Sequence, residues 1–96
     1  MLFMLSAKFT EQGIRGIKEA PKRAQAARDL GKKLGVEIKD AYMTTGDSDL
    51  VLMVETANGD NVLKFVMALG AQGNLHTKTA RAWPMNEFMK LVSELP

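Results

Sequence analysis

The sequence contains no cysteine, which excludes disulfide bonds, zinc–thiolate sites, iron–sulfur clusters and thiol nucleophiles. It also lacks any apolar run of membrane-spanning length, and the apolar stretch at residues 1–5 is too short for a secretory signal. We therefore expect no membrane association. The absence of cysteine fits a reducing compartment, and the default expectation for such a chain is a cytoplasmic location.

The excess of positive charge is small, with 13 Lys and Arg against 11 Asp and Glu. A nucleic-acid-binding domain of this size normally shows a stronger basic stripe with aromatic side chains among the charges. We therefore predict no nucleic-acid partner. The chain has only one histidine, His76, which cannot complete a typical transition-metal site without cysteine. Neither a metal nor a cofactor is predicted.

What the sequence does contain is alternation of strand and helix patterns over 96 residues, a length that predicts one domain spanning residues 1–96. Residues 2–9 alternate as a strand, with Phe3 and Leu5 on one face and Leu2 and Met4 on the other. Both faces of this strand are apolar. A monomer would expose the second set as a patch, so the chain itself is predicted as a partner, in a homodimer or higher oligomer.

The middle of the chain predicts a helix followed by a β-hairpin. Ala20-Pro21 is a typical helix start, and Gly35 stands at a typical helix end. Residues 36–44 and 49–56 are predicted strands joined by the turn 45–48. In the first of these strands the alternation places one set of side chains on a shared face: Val36, Ile38, Asp40, Tyr42 and Thr44.

The last third predicts a helix, a strand and a further helix. Asn58 is expected to cap the first of these helices, whose predicted buried stripe is Val62, Leu63, Val66, Leu69 and Gly70. A strand follows at residues 75–83, and Pro84 opens an amphipathic C-terminal helix. Four methionines are predicted to fill the core: Met4, Met43, Met53 and Met67. The order predicts an α+β, ferredoxin-like βαββαβ sandwich with a four-stranded antiparallel sheet and a C-terminal helix.

Three segments resemble the GYD-domain family, which is named for Gly, Tyr and Asp in the hairpin turn. They are TGDSDLVLMVE (45–55), TEQGIRGIKEAPKR (10–23) and LGAQGNLHTKTARA (69–82). The resemblance spans nearly the whole chain and implies a dimeric α+β barrel without specifying an activity. The family tyrosine is missing, since the turn holds Asp47 and Ser48 instead. A role that requires a phenolic group in this turn is therefore not implied.

The same hairpin is similar to the effector-binding domain of the leucine-responsive (Lrp/AsnC) regulators. In that family a Gly-x-Tyr-Asp turn lies near an amino-acid pocket between subunits. Those regulators have a DNA-binding helix-turn-helix in front of this domain, whereas this chain begins at the first predicted strand. The resemblance implies a stand-alone version of the binding domain.

Polar side chains recur at period two on the second and fourth strands, as Tyr42, Thr44, Thr77, Thr79 and Arg81. In a face-to-face dimer they would line a partly buried cavity between two sheets. Arg81 is a fixed-charge donor suited to a carboxylate. The predicted ligand is accordingly a small anionic metabolite. The candidate ligand-binding residues are Tyr42, Thr44, Gly46, Asp47, Asp49, His76 and Arg81.

Each of these residues also has a structural interpretation. Asp47 and Asp49 are typical turn formers, because aspartate accepts hydrogen bonds from nearby backbone N–H groups. A lone histidine such as His76, with no partner fixed by a motif, is more often a surface or hydrogen-bonded residue than a base. For Arg81 the favoured alternative is an ion pair within the protein, with Asp40, Asp49 or Glu55 as its partner.

Three functions remain open from the sequence. The first is an oligomeric module that binds a small anionic metabolite at the subunit junction. The second is a cofactor-independent enzyme of the oxygenase or isomerase type, with substrate between sheet and helices and Tyr42, His76 or Arg81 activating it. The third is a purely structural, ring-forming protein. The fold alone does not choose among them, because this architecture hosts many functions.

Overall fold

Four strands form a single antiparallel sheet in the order β2-β3-β1-β4 in the computed structural model, which describes residues 1–96. The strands are β1 (Leu2–Phe9), β2 (Val36–Met43), β3 (Leu50–Thr56) and β4 (Leu75–Ala82). β1 pairs with β3 and with β4, and β2 pairs with β3 along the hairpin. This strand order and the connecting helices confirm the predicted ferredoxin-like α+β fold.

The helices are α1 (Glu11–Arg15), α2 (Ala20–Lys33), α3 (Gly59–Ala71) and α4 (Met85–Ser93), with a 3-10 turn at Ile17–Glu19. α2 has Pro21 in its first turn, and Gly35 follows its end with φ of 77°. Asn58 caps α3, because its side-chain oxygen accepts a hydrogen bond from Asp60 N at 3.0 Å. No helix is long and apolar enough to cross a lipid bilayer.

The core lies between one face of the sheet and the helices α2 and α3. Its buried cluster takes Leu5 from β1, Leu52 and Val54 from β3, and Val62, Phe65 and Leu69 from α3, together with Val36. The inward residues of the strands alternate with outward ones, as the period of two requires. No helix of the chain packs on the opposite face of the sheet, which is called the open face below.

A β-bulge in β2 changes which side chains face the core. Ile38 pairs with Val54, but the next residue in register is Asp40, which pairs with Met53, so Lys39 is the extra residue. Beyond the bulge Ala41 and Met43 therefore lie on the helix-covered face, while Asp40 and Tyr42 lie on the open face. The predicted single face running from Val36 to Tyr42 is wrong for this reason.

Two further sequence predictions about the core are corrected. In α3 Leu63 is 58% exposed and Gly70 is exposed, while Phe65, absent from the predicted stripe, is fully buried. None of the four methionines predicted to fill the core is part of it: Met4, Met43 and Met67 are at least 40% exposed, and Met53 lies on the opposite face of the sheet. Methionine is flexible enough to occupy either environment, so its presence did not predict burial.

Candidate functional site

The open face of the sheet combines an apolar centre with charged side chains. Its centre is formed by Leu2 and Met4 of β1 and by Val51 and Met53 of β3, which share this face through the antiparallel register. Ala80 and Ala82 continue it on β4, opposite Met4 and Leu2. A continuous apolar strip on a sheet face is typical of a protein–protein contact.

Charges of opposite sign lie at diagonal corners of this face. The acidic corner contains Glu37 and Asp40 of β2 and Glu55 of β3, with Lys39 Nζ 3.8 Å from both Glu37 and Glu55. The basic corner contains Lys8 of β1, with Lys78 and His76 of β4. Because the corners are diagonal, a second copy related by a two-fold axis can place each acidic corner on a basic one.

Helix α4 has an apolar side that no other part of the chain covers. None of its residues is buried, and Phe88 is 47% exposed. The other exposed apolar side chains of this segment are Met85, Met89, Leu91, Val92 and Leu95. With this helix extending from the sheet, the molecule measures 53 Å along its longest axis against 31 and 18 Å. An amphipathic helix gains most of its stability by burying its apolar side.

The hairpin end holds four of the predicted ligand-binding residues: Thr44, Gly46, Asp47 and Asp49. Thr44 N donates to Asp49 O at 2.9 Å, and the Thr44 hydroxyl donates to Ser48 O, which closes the turn. Asp49 Oδ2 accepts from Phe9 N at 2.9 Å. Asp49 thus fastens the hairpin to the end of β1, whereas Asp47 is exposed and makes no hydrogen bond.

The remaining three predicted site residues do not meet in one pocket. Tyr42 is 59% exposed on the open face, on edge strand β2. His76 lies on the same face but on the opposite edge strand, paired with Lys8. Arg81 pairs with Phe3 and therefore lies on the helix-covered side, at the far end of β4. A shared ligand-binding role for these residues stays a prediction.

Arg81 is held by aromatic rings rather than by a carboxylate. Its guanidinium carbon is 4.7 Å from the centre of the Trp83 ring and 5.7 Å from that of Phe3. None of the ion pairs in the structure includes Arg81, so the expected pair with Asp40, Asp49 or Glu55 is not formed. Stacking of this kind positions an arginine while leaving its donors free.

A cavity lies on the helix-covered side, where the enzyme alternative placed a substrate, but its lining residues were not predicted from the sequence. It lies between α2 and the sheet and has a volume of about 160 Å³. Its lining includes neither His76 nor Tyr42. The signal that could have revealed it is the spacing of three small residues on α2, Ala20, Ala24 and Ala27, which all face the same side.

No three His, Asp or Glu side chains lie close enough together to hold a metal ion. Asp47, Asp49 and Asp60, the carboxylates nearest to the hairpin and the start of α3, are thus not gathered into a cluster.

The sequence was compared with known protein families, proteins and solved structures. A model of the GYD domain matches residues 3–92. The chain is also similar to a protein of Thermus thermophilus named glutamine synthetase and cystathionine beta-lyase binding protein. The two are 24% identical over 88 residues, which cover 91% of this chain and 93% of the relative. No solved structure matches the sequence. Since the GYD match covers nearly all of β1 to α4, the chain belongs to the GYD domain family.

Proposed function

We propose that this chain is a homodimeric binding protein that pairs through the open face of its sheet and presents the assembled surface to larger enzymes. The observation that carries the proposal is the apolar strip of Leu2, Met4, Val51 and Met53 on a face that no helix covers. A domain of fewer than 100 residues buries a modest share of its surface alone, so burial of this strip would add stability.

Charge and symmetry favour a second copy of the chain as the cover of this face. In a two-fold contact each interaction occurs twice, so Glu37 and Asp40 of each protomer would face the basic corner of the other. A copy placed with like corners together would be repelled. Complementary charges therefore select the register, while the apolar strip supplies most of the attraction.

Helix α4 is the second part of the proposed interface. Its apolar side is not buried within the chain. The helix follows directly after β4, which is an edge strand of the sheet. We place it against the partner subunit, where Phe88 and Leu91 would be covered. This arrangement would exchange the two C-terminal helices across the dimer.

The binding of enzymes is proposed from the similarity to the Thermus protein. That relative is named for binding glutamine synthetase and cystathionine beta-lyase. We extend to this chain the binding of a glutamine synthetase, with the dimer as the binding unit. A small anionic metabolite at the subunit junction remains part of the proposal, with Tyr42, Thr44 and His76 on or beside the face that the partner covers.

The oligomeric state tests the first part of the proposal. Sedimentation at micromolar concentration should show a dimer, and Met4→Glu should give a folded monomer because it places a charge in the middle of the strip. Met67→Glu is the matched control, since Met67 is exposed on α3, away from this face. Phe88→Glu tests α4 without touching a buried residue, and it should also weaken the dimer.

Titration of the chain into a purified glutamine synthetase by calorimetry tests the second part. We expect saturable binding by the wild type and by Met67→Glu, and weaker binding by Met4→Glu. A wild-type chain that stays monomeric, or a Met4→Glu variant that still forms the dimer, would contradict the proposed interface. Dimers that bind no glutamine synthetase would leave the interface standing and overturn the enzyme partner.

A further inference from the structure

The cavity between α2 and the sheet is apolar at its floor and open at one side. Leu52 and Leu69 are buried at its base. Ala24 of α2 and Ala41 and Met43 of β2 are exposed lining residues, so the opening lies between α2 and the β2 edge. A volume of about 160 Å³ is comparable to that of cavities that hold a single benzene ring.

Two features of the chain create this space. The first is the row of alanines on α2, because Ala20, Ala24 and Ala27 line the cavity and their small side chains fill little of it. The second is the bulge after Ile38, which turns Asp40 and Tyr42 away and places Ala41 and Met43 against the cavity. Without the bulge a carboxylate and a phenol would enter it. The bulge therefore keeps this wall of the cavity apolar and free of negative charge.

Positive charge at the cavity is not balanced by the protein. Arg23 and Arg28 line it, and no aspartate or glutamate does. Arg23 Nη2 donates to Gly13 O at 3.0 Å and also to Gly16 O, but its Nε is buried without a hydrogen-bond partner. Arg28 forms none of the ion pairs in the structure. With two arginines and no acidic residue in the lining, the charge that this cavity favours in a ligand is negative.

We propose that this cavity binds a small carboxylate with a compact apolar body, such as a single aromatic ring or a short branched chain. The apolar body lies against Leu52, Ala27 and Met43, and the carboxylate lies at the opening, where the exposed Arg28 donates to it and Arg23 adds positive charge deeper in the lining. Arginine suits this role because its donors match the two oxygens of a carboxylate. The site lies on the opposite side of the sheet from the proposed dimer interface, so the two proposals stand or fall separately.

Benzoate and 4-methylpentanoate are suitable probes, each compared with its uncharged amide. The full-length chain is titrated with each compound while amide ¹H–¹⁵N spectra are recorded. We expect saturable shifts at Ala27, Ala41 and Leu52, and an affinity for the carboxylate about tenfold higher than for the amide, because only the carboxylate forms charge-assisted hydrogen bonds.

Substitutions on α2 have matched controls on the same helix. Ala24→Leu should block both probes by filling the opening, whereas Ala26→Leu, at an exposed position outside the lining, should leave binding unchanged. Arg28→Gln should lower the affinity for benzoate about tenfold and leave benzamide unaffected. Lys33→Gln removes one charge from the same helix and should change neither.

The proposal is overturned if neither carboxylate shifts the cavity residues, or if benzoate and benzamide bind equally well. It is also overturned if Ala24→Leu binds benzoate like the wild type, since the ligand then lies elsewhere. Contacts in the dimer between α4 of the partner and Ala27 or Met43 would identify a protein helix as the occupant and would likewise exclude the carboxylate.

Discussion

At the scale of single residues, hydrogen bonding and backbone conformation decide what the hairpin side chains do. Two of the predicted site residues in the turn, Gly46 and Asp49, have clear structural roles. Their neighbour Asp47 has none in the protomer. The hairpin thus offers substitutions that separate a folding role from a binding role.

Gly46 has φ of +116°, a conformation that side-chain-bearing residues rarely adopt. Gly46→Ala should lower the free energy of unfolding by at least about 1 kcal/mol. Gly70→Ala is the matched control, because a Cβ at either position meets nothing within 4 Å. Gly70 lies in α3, so its replacement should stabilise by roughly 0.5–1 kcal/mol. Urea denaturation measures both, and equal effects would contradict the role of the backbone.

Asp49 should matter for stability more than Asp47. Asp49→Ala leaves Phe9 N without its acceptor and is expected to cost about 1–2 kcal/mol in the free energy of unfolding. Asp47→Ala removes the same charge from the same turn without breaking a hydrogen bond, so its effect should stay within about 0.5 kcal/mol. Thermal unfolding of the two variants side by side tests this. Equal losses would mean that charge, and not the bond to β1, holds the hairpin.

At the scale of secondary-structure elements, Thr56 joins three of them. This residue ends β3 and is buried, and its hydroxyl donates to Gly35 O at 2.8 Å just after α2. The same oxygen accepts from Asn61 Nδ2 of α3 at 3.2 Å. One side chain therefore fixes the end of a strand against the end of one helix and the beginning of another.

Thr56→Val keeps the shape of the side chain and removes these bonds, so we expect a loss of about 1–3 kcal/mol in the free energy of unfolding. Thr79→Val makes the same change at an exposed position of β4 and should have an effect within about 0.5 kcal/mol. Guanidinium denaturation gives both values. A Thr56→Val variant as stable as the wild type would show that the hydrogen bonds of this hydroxyl contribute no net stability.

At the scale of the whole molecule, the two faces of the sheet differ in which side chains they carry and in whether helices cover them. The helix-covered face holds the core and the cavity, and the open face holds the apolar strip with its two charged corners. The bulge in β2 affects both faces, because it places Asp40 and Tyr42 on the open face and Ala41 and Met43 on the helix-covered face.

Reversing one charge of the basic corner should weaken the proposed dimer. Lys78→Glu places a negative charge on the open face, and in the proposed two-fold contact the repulsion would occur twice. We expect the dissociation constant to rise about tenfold at low salt and the effect to shrink at high salt, where charges are screened. Lys64→Glu, at an exposed position of α3, is the matched control. Sedimentation equilibrium at two salt concentrations measures the difference, and no change in Lys78→Glu would argue against the proposed register.

The sequence by itself determined the elements and their order. Period-two alternation in β1, the proline in the first turn of α2 and the Asn58 cap are local signals, and each appears in the structure as predicted. Such signals act over a few residues, so they can be read without knowing what packs against them.

Only the tertiary structure decided which side chains share a face and which remain uncovered. The bulge in β2 depends on how that strand pairs with β3, and it reassigned Asp40, Ala41 and Tyr42. Arg81 has aromatic partners in place of a carboxylate, because the fold brings Phe3 and Trp83 next to its guanidinium. The cavity exists because small residues from distant segments meet across the core. These outcomes depend on pairing and packing between residues far apart in the chain. A local sequence pattern does not show which distant residues will meet.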